Sequence, residues 1–309
     1  MSDLAHAESI LRAACGDRVR TSFSLAPITS FRIGGPAAIY LEPESEADLA
    51  AAAGAIAATD LPYVVIGKGS NVLVSDHGFP GLVLQLGRAY RWAARDGDLL
   101  TAGGAMPLPA FAGVALRHSL EGLAFGVAIP ASVGGAVKMN AGAHGAEMSD
   151  VIADVEVFRL GLSRTERIPA ADAGFSYRRS RLPPDSVVTG VTVALRPGDT
   201  GAIRAEMDEA RSWRRRTQPL AEPNCGSVFK NPPGEHAARL IEEAGLKGMH
   251  VGGAHVSTKH ANFIVAGPGA AADDVWGLIQ LVAREVEAGT GIVLEPEVQL
   301  IGGFDRAAR

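Results

Sequence analysis

The sequence contains few cysteines and few aromatic residues, and its charge is only weakly biased. Its two cysteines, Cys15 and Cys225, are too few for a disulfide framework and fit a reducing compartment. Aromatic residues make up 6% of the 309 residues, and the formal net charge is -5. The basic run from Arg211 to Arg216 falls at the end of a predicted helix, where cations suit the helix dipole. We therefore expect no nucleic-acid partner.

Long apolar runs and targeting signals are also missing. A long uncharged stretch, residues 123–137, contains several glycines and a proline and falls short of the roughly 20 apolar residues of a spanning helix. We expect a buried loop system there. The N-terminus carries Asp3 and Glu8 and lacks the basic start and apolar core of a signal peptide. A cytoplasmic protein without a membrane partner is expected.

Two common nucleotide-binding motifs are absent, whereas glycine is abundant. No segment matches a Walker A loop, and none matches G-x-G-x-x-G after a strand. The 37 glycines are about 12% of the chain, against roughly 7% in average proteins. Three loops poor in side chains follow one another: FRIGGPA (31–37), IGKGSNVLVSD (66–76) and IPASVGGAVKMNAGAHGAE (129–147). Such loops let backbone N–H groups converge on one anion, and a diphosphate is the obvious candidate.

Local patterns predict a chain of mixed helices and strands in two parts. Ser45 with Asp48 predicts a helix start, and Asp96-Gly97 between apolar runs predicts a hairpin. Strands are predicted at 63–66, 151–160, 186–195, 254–256, 263–265 and 298–301, and helices at about 202–216 and 273–288, the last ending before Gly289. Glycine and proline punctuation after residue 195 predicts a domain boundary near residue 200.

Individual motifs in the second half fit both structural and functional roles. Ser227 in NCGSVFKNP fits a turn residue as well as a proton donor. Arg178 in FSYRRS fits a strand-end residue or a surface ion pair. Glu295 and Glu297 in LEPEV fit exposed edge charges. None of these motifs, taken alone, distinguishes a structural role from a functional one.

Histidine and cysteine spacing does not indicate a metal site. His250, His255 and His260 recur every five residues, which suits neither one helix face nor one strand face. Cys225 is interpreted as a small loop residue, because no histidine partner for a nucleophile is assigned. No metal is expected.

Taken together, the motifs indicate one family. FRIGG, GKGSN.LV.D, IP.SVGGAVKMNAGAHG.E, F.YR.S, GSVFKNP, S.KHANFIV and LEPEV..IG occur in its order and at about its spacing. The chain resembles the UDP-N-acetylenolpyruvoylglucosamine reductase (UDP-N-acetylmuramate dehydrogenase) family from about Ser22 to Gly302. The short segment between Tyr177 and the strand at Val187 is typical of the family's shorter branch. Ala131 departs from the glycine that is usual there.

The resemblance implies an α+β fold with two domains. Residues 1–199 are expected to form a FAD-binding domain of the vanillyl-alcohol-oxidase (PCMH) type. Its two α+β subdomains are expected at about 1–86 and 87–199. Residues 200–309 are expected to form a C-terminal α/β substrate-binding domain. A monomer is expected.

The resemblance also implies the chemistry. NADPH reduces non-covalent FAD and leaves, and the enolpyruvyl ether of UDP-N-acetylglucosamine is then reduced to UDP-N-acetylmuramate, a peptidoglycan precursor. Arg178 and Glu297 match the pair that stabilises the enolate in this family. The guanidinium group of an arginine suits this role because it can bind a carboxylate through two parallel N–H groups. Ser227 matches the proton donor, and Lys230 is expected to ease the loss of its proton.

Further residues are assigned by position. The cofactor-binding set is Arg32, Gly34, Gly67, Lys68, Gly69, Ser70, Asn71, Ile129, Ser132, Gly134, Gly135, Asn140, Ala141 and Gly142. The substrate-binding set is Tyr177, Lys230, Asn231, Lys259 and His260. Lys259 and His260 fit equally well a role in holding the C-terminal sheet to the loop.

Two other functions remain open at this stage. One is a related FAD oxidase acting on an alcohol. Such enzymes commonly carry a flavin-linking histidine in the first loops, and FRIGGPA and GKGSN contain none. The other is a catalytically silent module that binds UDP-sugars, against which the presence of Arg178, Ser227 and Glu297 together argues.

Overall fold

The computed structural model describes residues 3–304 as a chain of mixed helices and short strands. The α-helices are α1 (Asp3–Cys15), α2 (Glu46–Thr59), α3 (Leu108–Arg117), α4 (Val133–Lys138), α5 (Thr200–Thr217), α6 (Ala237–Glu243) and α7 (Ala272–Thr290). Within these residues, none of the helices combines the length and apolar character needed to cross a membrane.

The strands are short and belong to several small sheets. They are β1 (Val19–Ser24), β2 (Pro36–Leu41), β3 (Tyr63–Val65), β4 (Val72–Val74), β5 (Phe79–Leu84), β6 (Ala93–Asp96), β7 (Leu99–Gly103), β8 (Leu120–Glu121), β9 (Gly142–Ala143), β10 (Ala146–Glu147), β11 (Ile152–Arg159), β12 (Arg164–Pro169), β13 (Ser186–Ala194), β14 (Arg196–Pro197), β15 (His250–Val251), β16 (Ala254–Val256), β17 (Ile264–Ala266) and β18 (Gln299–Ile301).

The larger sheets have the strand orders β1-β2-β5-β3, β12-β11-β13-β7-β6 and β15-β16-β17. In the five-stranded sheet each neighbouring pair is antiparallel. Strand β18 pairs in parallel with β4, with Leu300 opposite Leu73. The remaining pairs are β9 with β10 and β8 with β14.

Packing divides the chain into two discontinuous units. The first unit comprises residues up to Thr21, Ile39–Lys68 and Gly81–Trp213, and the second comprises Ser22–Ala38, Gly69–Pro80 and the chain from Arg214 onward. The sequence-based boundary between residues 199 and 200 stays a prediction about domains. The packing units differ from it because residues 22–38 and 69–80 pack with the C-terminal segment.

Each unit has its own apolar core. In the first unit, one cluster gathers around Phe111, and another around Leu49 covers α1 and α2. In the second unit, Val275, Leu278 and Ile279 of α7 pack in a cluster with Phe229. The helical spacing of these α7 residues is the pattern expected of a helix that buries one face.

Several local predictions are confirmed. Ser45 caps α2 by accepting a hydrogen bond from the Asp48 N–H group at 3.2 Å. Strands β6 and β7 form the antiparallel hairpin around Asp96-Gly97. The strands predicted at 254–256 and 298–301 and the helix at 202–216 are also present, with ends shifted by at most two residues.

Two local predictions are wrong in detail. Gly289 lies inside α7, and the helix ends instead at Thr290, followed by Gly291, whose φ of 72° supplies the left-handed residue that closes a helix. Residues 123–137 are mostly buried, with Pro130 exposed, but they are not only loops. They contain a short 3₁₀ helix (Ala124–Ala128) and the beginning of α4, which give the buried backbone groups internal partners.

Candidate active site

The GSVFKNP segment of the second unit is held along one side by the LEPEV segment. The Glu297 N–H group donates to the Val228 carbonyl oxygen at 2.7 Å, and the Lys230 N–H group donates to the Glu295 carbonyl oxygen at 2.9 Å. Phe229 forms an antiparallel bridge with Pro296 between them. Two motifs about 65 residues apart in the chain are thereby aligned residue by residue.

The KHANF segment holds the other side of the same backbone through Asn262. The Val228 N–H group donates to the Asn262 carbonyl oxygen at 2.9 Å. The Asn262 side chain accepts from the Phe229 N–H group at 2.9 Å and donates to the Phe229 carbonyl oxygen at 2.8 Å. Within the second unit, three of the sequence motifs therefore meet at Val228 and Phe229.

Ser227 does not make the turn that precedes this backbone. The Asn224 side-chain oxygen accepts from the Gly226 N–H group at 2.9 Å, and Gly226 has a φ of +81°. These two residues form the local turn that asparagine side chains favour. Ser227 is exposed, and its hydroxyl makes no hydrogen bond with any residue between 3 and 304. Its hydroxyl is available to a ligand.

The LEPEV segment is hydrogen-bonded to the second glycine-rich loop (66–76) through Asn71. The Asn71 side-chain amide donates to the Glu297 carbonyl oxygen at 3.2 Å, and the Gln299 N–H group donates to the Asn71 carbonyl oxygen at 3.0 Å. Asn71 is in the predicted cofactor-binding set, and here its amide positions the backbone of a predicted catalytic residue.

Cys225 lies beside these groups but is a poor nucleophile. Burial raises the pKa of its thiol far above the usual range, and the Glu297 carboxylate, when it is ionised, raises this pKa further. Because the thiolate is the reactive form, a buried thiol with a raised pKa is a poor nucleophile. The interpretation of Cys225 as a small structural residue is consistent with this burial.

The cations of the predicted substrate set are engaged with the protein. The Lys230 ammonium lies 2.5 Å from Glu295 Oε1, so in this structure it forms an ion pair with Glu295 rather than a contact with the Ser227 hydroxyl. The Lys259 ammonium donates to the Arg215 carbonyl oxygen at 2.7 Å, near the C-terminal end of α5. Such cations suit a helix C-terminus.

The two remaining members of this set on the second unit also have structural contacts. Asn231 accepts a hydrogen bond from the Ala237 N–H group at 3.1 Å, at the start of α6. His260 Nδ1 accepts from the Asn262 N–H group at 3.3 Å, and its ring lies edge-on to Phe263. Burial and the nearby Lys247 ammonium lower the pKa of His260, which keeps it neutral, as this contact requires.

In the first unit, Arg178 stands at the tip of a tight turn. Ser176 and Arg179 exchange backbone hydrogen bonds of 2.9 and 3.0 Å across it. Arg178 has a φ of +56°, an uncommon conformation for a residue with a side chain. Its guanidinium donates to the Gly142 carbonyl oxygen at 3.2 Å and lies 5.0 Å from the centre of the exposed Tyr177 ring. Arg178 is therefore anchored to the third glycine-rich loop.

Asn140 fastens the same loop to the Arg178 turn. Its side chain is fully buried and donates to Glu147 Oε1 at 2.8 Å and to the Ser176 carbonyl oxygen at 3.1 Å. It also accepts from the Ser149 N–H group at 2.9 Å. A cofactor role for Asn140 stays a prediction, and its side chain is engaged with the protein.

The GKGSN loop offers the open donors that a diphosphate needs. The five consecutive N–H groups from Gly67 to Asn71 find no acceptor among residues 3–304. Gln85 fixes the loop by donating to the Gly67 carbonyl oxygen at 2.5 Å. A Cβ at Gly67 would collide with Ser132 Oγ, so a side chain here would force that hydroxyl to move. This loop fits an anion such as the diphosphate of FAD.

The other two glycine-rich loops contribute differently. At the start of α4, the N–H groups of Val133 and Gly134 donate to protein carbonyl oxygens at 2.8 Å, and that of Gly135 donates to Ser132 Oγ at 3.3 Å. These N–H groups are therefore already hydrogen-bonded within the protein. In the first loop, Gly34 has a φ of +118° and packs against Val74, as only glycine allows.

The rest of the predicted cofactor set lies at or near these loops. Arg32 is exposed with a φ of +59°, and the buried hydroxyl of neighbouring Ser30 has no partner within residues 3–304. Lys68 is exposed, and the half-buried members are Ser70, Ile129, Ala141 and Gly142.

Comparisons with known proteins decide the family. Residues 37–161 match the family "FAD binding domain", and residues 218–301 match "UDP-N-acetylenolpyruvoylglucosamine reductase, C-terminal domain". A UDP-N-acetylenolpyruvoylglucosamine reductase of Heliobacterium modesticaldum is 47% identical over 89% of this chain and 88% of that relative. The chain belongs to the UDP-N-acetylenolpyruvoylglucosamine reductase family.

Other members agree over nearly the whole chain. A reductase of the same name from Methylorubrum extorquens is 44% identical over 94% of this chain and 95% of that relative. The crystal structure of UDP-N-acetylenolpyruvylglucosamine reductase from Thermus caldophilus superposes with a TM-score of 0.80 at 38% identity, covering 92% of this chain and 99% of that one. The predicted α+β fold with a FAD-binding domain is confirmed, and the chain is a FAD-dependent oxidoreductase.

Sequence reasoning missed three residues that shape the site. Asn262, Asn224 and Gln85 all use side-chain amides to fix backbone groups of the motifs. Asn262 lies within the KHANFIV motif, but nothing in the spacing of that motif indicates that Asn262 binds Phe229. For Gln85 the sequence offered no signal, because its partner Gly67 is 18 residues away.

Proposed function

We propose that this member of the family reduces the enolpyruvyl ether of UDP-N-acetylglucosamine to UDP-N-acetylmuramate, with NADPH as reductant and FAD held non-covalently. The reaction would serve peptidoglycan precursor synthesis in the cytoplasm, with the protein acting as a monomer of two domains, 1–199 and 200–309. The observation that carries the proposal is Ser227. Its exposed hydroxyl, which has no hydrogen-bond partner among residues 3–304, stands on a backbone fixed from both sides by the LEPEV and KHANF segments.

The reaction adds a hydride and a proton across the enolpyruvyl double bond. FAD, when bound and reduced, supplies the hydride to the terminal olefinic carbon. Ser227 Oγ then donates its proton to the adjacent carbon, which completes the lactyl ether. Because a serine hydroxyl is a weak acid, it must lie close to that carbon and in line with it. The exposure of the Ser227 side chain and the fixed backbone beside it support this role.

Arg178 and Glu297 have the complementary task of stabilising charge. Hydride addition leaves negative charge on the carbon next to the substrate carboxylate and on the carboxylate itself. The planar Arg178 fork suits that carboxylate. Glu297 assists if it carries a proton and donates a hydrogen bond, which requires a poorly solvated setting.

The remaining roles follow from the local contacts. The open amides of Gly67–Asn71 would hold the diphosphate of FAD, and Arg32, Gly34 and the 129–142 loop would also bind the cofactor. Tyr177, which lies beside Arg178, would face the substrate. Lys259 and His260, like Lys230 and Asn231, would act on the substrate in addition to their protein contacts.

Anaerobic spectroscopy on the purified protein tests the proposal. The protein should be yellow, bleach with NADPH and regain its colour when the enolpyruvyl substrate is added. UDP-N-acetylglucosamine, which lacks the double bond, is the control and should leave the bleached state unchanged. Acid precipitation should release the flavin into the supernatant. A protein that bleaches but is not reoxidised by the enolpyruvyl substrate would point to another FAD enzyme, and one without flavin to a silent binding module.

A further inference from the structure

The side chain of Asn262 hydrogen-bonds to the backbone of Phe229 in the way that a neighbouring β-strand would. Asn262 is buried, with 4% of its surface exposed. Its carboxamide accepts a hydrogen bond from the Phe229 N–H group at 2.9 Å and donates one to the Phe229 carbonyl oxygen at 2.8 Å. Its main-chain carbonyl accepts from the Val228 N–H group at 2.9 Å. Three contacts from one residue thus restrain two consecutive residues of the GSVFKNP segment.

Those two residues immediately follow Ser227 in the chain. The Ser227 hydroxyl has no hydrogen bond of its own within residues 3–304, so its position depends on the backbone that carries it. On the opposite side, the Val228 carbonyl accepts from the Glu297 N–H group at 2.7 Å. The backbone between Asn262 and Glu297 therefore sets where both Ser227 and Glu297 stand.

We infer that Asn262 is a positioning residue for proton delivery by Ser227, an inference that rests on the proposed function. Asn262 does not touch the reacting atoms in this account. It fixes the Val228–Phe229 backbone so that the Ser227 hydroxyl points where a general acid must be. Without the carboxamide, the buried N–H and carbonyl groups of Phe229 lose their partners and the segment gains freedom. A general acid that is displaced by about 1 Å loses much of its effect.

A double-mutant cycle tests this role. Anaerobic stopped-flow would follow flavin reduction by NADPH and reoxidation by the enolpyruvyl substrate in four proteins: the wild type, Asn262→Ala, Ser227→Ala and the double variant. We expect Asn262→Ala to slow reoxidation at least about tenfold while reduction by NADPH stays within about twofold. In the Ser227→Ala background, the same change should slow reoxidation by less than about twofold, because the group it positions is gone.

A matched control separates positioning from general loosening. Asp274 also makes two side-chain contacts to backbone N–H groups of the second unit, to Gly253 and Ala271 at 3.0 Å. Asp274→Ala should therefore lower thermal stability without changing the ratio of the two half-reactions. If Asn262→Ala does not fold, Asn262→Asp takes its place in the cycle, since it keeps an acceptor for Phe229 N–H and removes the donor.

The outcomes are distinct. Equal slowing of both half-reactions, no slowing of reoxidation, or the same slowing with and without Ser227 would overturn the inference while leaving the proposed function intact. A wild type that is not reoxidised by the enolpyruvyl substrate would overturn both.

Discussion

The side-chain oxygen of Asn224 accepts a hydrogen bond from the Gly226 N–H group at 2.9 Å, one residue before Ser227. The turn is therefore built by Asn224 and Gly226, and Ser227 is left exposed without an internal partner among residues 3–304. The position of the hydroxyl is set by the Val228–Phe229 backbone that follows it, which is hydrogen-bonded to Asn262 and Glu297. Because the turn and the hydroxyl belong to different residues, the free energy of unfolding of single variants can tell their roles apart.

Replacing the turn residue should cost stability, whereas replacing the serine should not. Asn224→Ala removes the turn contact and two further hydrogen bonds, to the Pro219 and Glu222 carbonyl oxygens. We expect it to lower the free energy of unfolding by about 1–2 kcal/mol. Ser227→Ala removes no side-chain hydrogen bond to any of residues 3–304 and should stay within about 0.5 kcal/mol of the wild type. Denaturant unfolding measures both, and a larger loss for Ser227→Ala would contradict the assignment of the turn.

The GKGSN loop should tolerate no side chain at Gly69. Gly69 has a φ of +63°, and a Cβ there would collide with the Ile28 carbonyl oxygen. Gly69→Ala should therefore displace the loop and reduce the fraction of protein that retains FAD on gel filtration. Gly97→Ala is the matched control, because Gly97 has a φ of +58° with no atom within 4 Å of its Cβ position. Equal flavin retention by the two variants would argue against this loop as the diphosphate site.

Arg178→Lys should damage the reaction although it keeps the charge. An ammonium cannot present two parallel N–H groups to a carboxylate. We expect reoxidation by the enolpyruvyl substrate to slow at least tenfold, which corresponds to about 1.4 kcal/mol in the barrier. Arg179→Lys, the same change at the exposed neighbouring residue, should have little effect. An Arg178→Lys rate within about twofold of the wild type would remove Arg178 from the enolate site.

His260 should weaken the fold as the pH falls. Burial, followed by the positive charge of Lys247, lowers its pKa below the ordinary value of 6.5, while the charge of Glu242 opposes this. The unfolded chain therefore binds the proton first, and the stability that His260 contributes is lost as the pH falls from about 6.5 through the folded pKa. His260→Asn keeps an acceptor for the Asn262 N–H group and does not titrate. Thermal unfolding should show the wild type losing stability relative to this variant below pH 6.5, and a constant difference would contradict the lowered pKa.

Local features of this fold were predictable from the sequence because their partners are close in the chain. Ser45 and Asp48 are three residues apart, and the Asp96-Gly97 turn joins adjacent strands. The end of α7 was placed two residues early because Gly289 and Gly291 look alike in sequence, and only the second adopts a positive φ.

The candidate site was predictable only in part. Its motifs identified the family, but the contact between Asn262 and Phe229 joins residues 33 apart and depends on the tertiary fold. The sequence likewise suggested that Lys230 assists Ser227, whereas folding brings Glu295 within 2.5 Å of its ammonium. Long-range pairings of this kind are decided by packing and carry no local pattern.

Stopped-flow on the two half-reactions of Ser227→Ala tests the central claim, that Ser227 delivers the proton. Reduction of FAD by NADPH requires no proton from Ser227, so flavin content and bleaching should remain close to the wild type. Reoxidation by the enolpyruvyl substrate should slow by roughly 10²–10⁴-fold, the usual effect of removing a positioned general acid. Equal slowing of both half-reactions, or unchanged reoxidation, would contradict the account.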